Sequence, residues 1–276
     1  IAEALNTAAE ERFLETGHPR DLTLFWVAGT GNKDGSHADH YAHEGMVKKV
    51  IGGHFNFVPK ICEMLSENKI EGYNVPQGAI AQMLRDNAAH KVGTISHVGI
   101  GTFADPRNGG GRLSEKTKED IVKIIELEGQ EQLFYPRIPM DVAFIRGTYA
   151  DELGNITLEK EMAPLDATSQ AMAVHNNGGL VVVQVERVVK AGHLDPKLVK
   201  IPGIYVDAVV ECPADDPKQS QSINCTYDPA YAGNTQVPVS SLEPKKLDAK
   251  KIIGRRAAME LKKNVVVNLG VGVPEW

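Results

Sequence analysis

Ala4, Leu5, Ala8, Ala9, Phe13 and Leu14 recur at helical spacing near the start of the chain, and Gly17 with Pro19 closes that helix. The apolar run 22–27 then predicts a strand that opens into a long polar loop over 28–35. A short strand is expected over 54–57, a helix from Val58-Pro59 to Leu65, and another short strand over 70–73. From 78 to 89, Ile80, Met83, Leu84 and Ala88 share one face of a helix, and the run 94–98 returns to the sheet. This alternation of β and α predicts a parallel sheet covered by helices.

Further along, 121–126 and 132–135 read as a hairpin-like pair outside the main sheet, and 142–148 as an apolar strand. A turn over 151–155 leads to a pairing segment at 156–158, and 162–174 carries helical periodicity that Gly178-Gly179 ends. Residues 180–185, Leu-Val-Val-Val-Gln-Val, predict a strand buried on both faces, and 206–210 another. Between 213 and 244 the composition shifts to Pro, Ser, Asp and Gln, as in an irregular excursion or interdomain connector. A basic amphipathic helix follows over 248–262, with Ile252, Ile253, Ala257, Ala258 and Leu261 inward and Arg255-Arg256 in solvent. Residues 265–272 read as a buried strand running into a glycine turn. No Met opens the sequence and no crossover helix follows that strand, so the chain reads as cut at both ends. The fold class expected is α/β, an open, mostly parallel sheet flanked by helices.

Two loops in the stretch 73–112 stand apart. The first sets an uncharged amide, Gln77, between Pro76 and Gly78, where the chain turns before a helix. The second, 99–112, holds five glycines and almost no apolar mass. If they follow neighbouring parallel strands, they face each other across a crevice.

Composition narrows the partners. A net charge of −6 without a basic stripe argues against nucleic acid. No apolar run approaches the length of a membrane span, which reads as a soluble protein. Cys62, Cys212 and Cys225 lie in no metal or redox spacing and read as reduced thiols in a cytoplasm. Gly29-Thr30-Gly31 lacks the third glycine of a dinucleotide fingerprint. His37, His40, His43 and Glu44 raise the question of a metal, but the spacing is not that of a zinc-protease helix. A polar surface turn is the expectation, with no metal site.

Five blocks now occur together and in order: Asn74-Val75-Pro76-Gln77-Gly78; Gly99-Ile100-Gly101-Thr102-Phe103-Ala104-Asp105-Pro106-Arg107; Phe144-Ile145-Arg146-Gly147-Thr148-Tyr149-Ala150-Asp151; His175-Asn176-Asn177-Gly178-Gly179; and Asn268-Leu269-Gly270-Val271-Gly272. Over essentially its whole length the chain resembles the family I coenzyme A transferases of the propionate/acetate type. The resemblance implies a fused polypeptide of two similar α/β domains. Residues 1–245 would be the first domain without its opening strand and glycine loop, and 246–276 the linker helix and first strand of the second. It further implies a cytoplasmic homo-oligomer that takes acyl-CoA and a short-chain carboxylate (propionate, acetate or lactate), with coenzyme A as substrate and no permanently bound cofactor. Transfer would run ping-pong through a glutamyl-CoA thioester.

The family's nucleophilic glutamate lies in a second-domain motif that does not occur here. Glu152, Glu159 and Glu161 sit near a turn, where charged residues are found by default. The resemblance assigns Gln77 the role of hydrogen-bond donor to the oxygen that gains charge; the other reading is that Gln77 caps the following helix. It places Thr30, Gly99, Gly101, Thr102 and Phe103 at the substrate, against an ordinary glycine turn. His97 and His175 are expected to be structural. Two other identities remain: a separate α subunit of a two-chain transferase, and a non-catalytic ligand-binding domain on the same scaffold.

Overall fold

The computed structural model describes residues 1–222, 225–270 and 272–273. It divides into two units, 1–233 and 234–276. The first opens with α1 (Glu3–Thr16), which ends on Gly17 in the left-handed conformation. Three parallel strands follow: β1 (Leu22–Trp26), β2 (Val47–Gly52) and, after α2 (Pro59–Ser66), β3 (Glu71–Asn74), in the order β1-β2-β3. The expected strand at 54–57 is absent, and β2 lies just before it. Lys48 and Lys49 interrupt the apolar pattern of β2, and Lys49 is neutralised across the sheet by Glu71 at 2.9 Å.

Side chains alternate across this sheet. Val50 packs with α2 residues Ile61, Met64 and Leu65, and with Phe13 of α1. Ile51 and Tyr73 pack on the other side with Ala79, Ile80 and Met83 of α3 (Gln77–Ala88).

β4 (Gly93–Ser96) departs from expectation. It pairs antiparallel with β6 (Gln130–Pro136), which also pairs with β5 (Lys123–Leu127), in a separate three-stranded sheet. The hairpin predicted outside the main sheet is thus real, but it takes β4 with it. β7 (Val142–Arg146), β8 (Tyr149–Asp151), β9 (Ile156–Thr157) and α4 (Ala167–Asn176) come next, then β10 (Leu180–Val185), β11 (Arg187–Val189), β12 (Val199–Ile201) and β13 (Ala208–Glu211). β13-β10-β7 is a second parallel sheet, and β11-β8-β9-β12 a mixed one. Val181, Val183 and Val185 are fully buried against Ile145 and α4. α4 starts later than its periodicity suggests because Leu165 occupies the left-handed region at φ 44°, which no helix can include. The single open sheet expected from the sequence is therefore a set of small sheets, two of them parallel.

The second unit holds α5 (Ala249–Ala258), capped by the Asp248 carboxylate on the Lys251 N–H. Its apolar residues are not inward: Ile252 and Ile253 are more than half exposed, as is Leu261 beyond it. Residues 265–270 form no strand, and Val265, Val266 and Val267 are exposed. A strand needs a neighbour to pair with, and none is present among the described residues. Val271 and 274–276 lie outside them.

Candidate active site

The carboxyl ends of β1, β2 and β3 converge, and four loops meet there. The loop after β1 is tied to the loop after β2: the Lys33 N–H donates to the Phe57 carbonyl at 3.1 Å, and Trp26 Nε1 donates to the His54 carbonyl at 3.0 Å. Lys33 Nζ lies 5.6 Å from the Phe57 ring centroid, and the His54 ring packs on Phe57 at 5.1 Å. This anchors the segment that carries Thr30.

Gly53, just past β2, is where the three strand ends touch. A methyl group there would stand 2.2 Å from the Val27 carbonyl oxygen and 3.2 Å from Gln77 Cβ. Only glycine permits that approach. Gln77 is the first residue of α3 and is exposed; the helix has no side-chain cap. Its amide is thus free to donate outward, beside helix N–H groups that carry the positive end of the helix dipole.

The glycine loop arrives by an unexpected route. It does not leave a parallel neighbour of β3; it leaves β4 in the antiparallel sheet. Its far end returns to β3, where the Asn74 N–H donates to the Gly111 carbonyl at 2.7 Å and Arg112 bridges Tyr73. The two loops adjoin through that return pairing. Gly99 is buried at φ 107°, where a methyl would stand 2.6 Å from the Tyr135 hydroxyl; that hydroxyl donates to the Val98 carbonyl at 2.6 Å. Gly101, Thr102 and Phe103 form an exposed tip, with Phe103 53% accessible. The Thr102 hydroxyl is engaged within the loop, donating to the Gly99 carbonyl at 2.7 Å.

Two features escaped the sequence reading. One is Asp105, whose buried carboxylate accepts from the Gly101 N–H at 2.9 Å and from Arg107. The Asp-Pro pair advertises a turn, but not this knot. The other is the histidine cluster, which is no solvated turn. His40 sets one ring nitrogen on Glu10 and the other 2.8 Å from Glu3, His37 lies 2.7 Å from Glu3, and His43 lies 2.6 Å from Glu10. Both His40 nitrogens face carboxylate oxygens, an arrangement that favours the imidazolium. The cluster pins the 37–41 turn to α1, and among the described residues no group is placed to hold a metal.

The carboxyl end of the second parallel sheet is different in kind. Arg146 forks onto Glu161 (Nε and Nη2 to the carboxylate at 2.5–3.1 Å), and Lys160 binds both oxygens of Glu186 at 2.8 Å. Lys160 also lies over the rings of Tyr149 and Tyr227, at 5.2 and 5.1 Å. Glu161 is thereby neutralised and held. His175 packs edge-on against Tyr205 at 5.4 Å, a packing contact.

The family model described as Coenzyme A transferase matches residues 10–212. The chain is 42% identical over 275 residues to the acetate CoA-transferase YdiF of Escherichia coli (strain K12), covering 99% of this chain and 51% of that protein. It is 41% identical over 272 residues to the caffeate CoA-transferase of Acetobacterium woodii, covering 99% and 52%. The crystal structure of the acyl-CoA transferase YdiF from E. coli O157:H7, as a thioester complex with CoA, superposes with a TM-score of 0.88 at 42% identity, over 99% of this chain and 51% of that one. The chain thus spans about half the length of the curated relatives it matches. Among the described residues no helix is long and apolar enough to cross a membrane.

Proposed function

Because this chain belongs to the coenzyme A transferase family, we propose that the protein it forms part of moves CoA from a short-chain acyl-CoA to a free carboxylate, with acetate, propionate or lactate as the class of acceptor. A glutamate carboxylate from outside these residues attacks the thioester carbonyl and expels CoA thiolate, leaving an acyl-glutamyl anhydride. The thiolate then attacks the glutamyl carbonyl, releases the first carboxylate and leaves a glutamyl-CoA thioester. The acceptor carboxylate reverses both steps. In each attack a carbonyl oxygen gains negative charge.

The observation that carries this reading is the uncapped, outward Gln77 amide at the head of α3, at the carboxyl end of a parallel sheet. A neutral amide stabilises the developing charge without competing as a nucleophile or titrating. Thr30 and the tip 101–103 would line the acyl pocket, and Gly99 would set the tip's height over it.

The reading includes a fused chain whose first domain comprises 1–245 and whose second begins at 246, with the nucleophile in the second. The opening strand of that first domain has a place to go: β1 and β7 each leave one edge unpaired among the described residues, while Phe25 and Val27 of the first sheet share a small core with Met140 just before β7. The experiment is to assay this 30.0 kDa stretch beside the protein as isolated from its source. An inactive stretch and an active source protein of about 55–60 kDa, as two fused domains require, support the reading. Turnover by the stretch alone contradicts it, and an active complex of two smaller chains favours the separate-subunit alternative.

A further inference from the structure

The glycine loop poses a problem of order. All five of its glycines, 99, 101, 109, 110 and 111, sit at positive φ, and only Ala104 and Asp105 of residues 101–108 are buried. Glycine loses more freedom on ordering than any other residue, and no apolar mass within the tip compensates. Something polar must hold Gly101, Thr102 and Phe103 in place.

Asp105 carries the largest share of the ties, and its side chain is the one that is charged and buried. One carboxylate oxygen accepts from the Gly101 N–H at 2.9 Å and from Arg107 Nη2 at 2.8 Å. The other accepts from the Arg107 N–H and Nε, both at 3.0 Å. Its backbone N–H donates to the Thr102 carbonyl at 3.1 Å, and its carbonyl accepts from Gly110 at 2.9 Å. Asp105 thus bonds both to the tip and to the return of the loop, beside two direct links between them, from the Gly111 N–H to the Phe103 carbonyl at 2.8 Å and from Asn108 Nδ2 to the Thr102 carbonyl at 3.2 Å. Arg107 carries the tie outward, with Nη1 3.2 Å from both oxygens of Glu131 on β6. Hydrogen bonds to the ionised form, with Arg107 first, hold this carboxyl far below the usual carboxylate range, so it stays charged.

We propose that Asp105 is the positioning residue of the substrate loop: its carboxylate, gripped by Arg107 and gripping the Gly101 N–H, fixes Gly101–Phe103 where substrate will meet them. This rests on the reading of the site as a CoA-transfer site. A loop already ordered lets the substrate bind without bearing the ordering cost itself. Loosening it weakens substrate binding more than it slows the chemical step, because the nucleophile and Gln77 lie elsewhere. Asp105→Asn keeps an oxygen for Gly101 but loses the charge; Arg107→Lys keeps the charge but loses the fork.

The test uses the full-length protein with acetyl-CoA as donor and propionate as acceptor, beside amide hydrogen exchange. For Asp105→Asn, KM is expected to rise about tenfold while kcat falls less than about threefold. Arg107→Lys should shift KM in the same direction by less. Exchange at 101–103 should accelerate in both while β4 and β6 stay protected. Unchanged KM in both variants overturns the proposal, as does exchange that rises equally through β4 and β6, the mark of a merely structural role. If Asp105→Asn fails to fold, Arg107→Lys decides by the same two readouts. If the unmodified protein transfers no CoA, the functional reading fails, and the exchange arm alone still decides whether Asp105 holds the loop.

Discussion

The carboxyl ends of the two parallel sheets are built on opposite plans. At the β1-β2-β3 end the chain uses glycine, one uncharged amide and a helix start with no side-chain cap. At the β7-β10 end it places four charged side chains and neutralises them in pairs, Arg146 with Glu161 and Lys160 with Glu186. Topology makes both ends candidates for a ligand. What separates them is satisfaction: one end has bonded its polar groups to one another, and the other keeps a donor in reserve. A strand end rich in charge is therefore not the more chemically available one.

Breaking the satisfied end should cost most. Arg146 and Glu161 are 5% and 13% exposed at their side chains, so Arg146→Ala leaves a shielded carboxylate without its partner. We expect a loss of about 3–5 kcal/mol of stability with kcat unchanged in the molecules that remain folded. Chemical denaturation beside steady-state kinetics checks this. A kcat that collapses at unaltered stability would move the chemistry to the wrong sheet.

The smaller effect concerns the scaffold of the open end. His40→Gln should lower stability by about 1.5–3 kcal/mol, as for hydrogen bonds to charged groups. The loss should depend on pH in a defined sense. Hydrogen bonding to Glu3, opposed by burial and reinforced by Glu10, raises the His40 pKa above its ordinary 6.5. Its stabilisation is full below that ordinary value and fades as pH climbs through the raised one. Burial works to raise the Glu3 carboxyl, yet bonds from His37 and His40 hold it at about 2, below its ordinary 4.5. That contribution is full above 4.5 and is lost as pH falls toward 2. The melting-temperature gap between wild type and His40→Gln should thus be widest between about 4.5 and 6.5 and narrow on both sides. A gap that widens at alkaline pH would contradict the imidazolium bridge.

The sequence was legible where local pattern and tertiary demand agree. α1, α3 and the valine run of β10 emerge within a residue or two of where apolar spacing puts them. β2 was missed because Lys48 and Lys49 break its pattern, and the charge that excuses Lys49 is Glu71, in another strand. α5 reads as amphipathic, yet its apolar residues are exposed, since periodicity specifies a face but not what covers it. Of the site, Gln77 and the glycine loop were visible as breaks in pattern. Their meeting through Asn74 and Gly111 was not, because β4 gives no sign of pairing antiparallel with β6 rather than joining β3. The His40 bridge was hidden for the same reason: its partners lie 30 and 37 residues away.

The central claim is that the open end works through an amide held in reserve, and Gln77→Ala in the full-length protein tests it most directly. Turnover and thermal unfolding would be measured on the same preparation. The account predicts a fall in kcat of about 100- to 1,000-fold, as for removal of one oxyanion donor, with the melting temperature unmoved. A variant that keeps its kcat but melts well below wild type would make Gln77 a helix-starting residue and contradict the account.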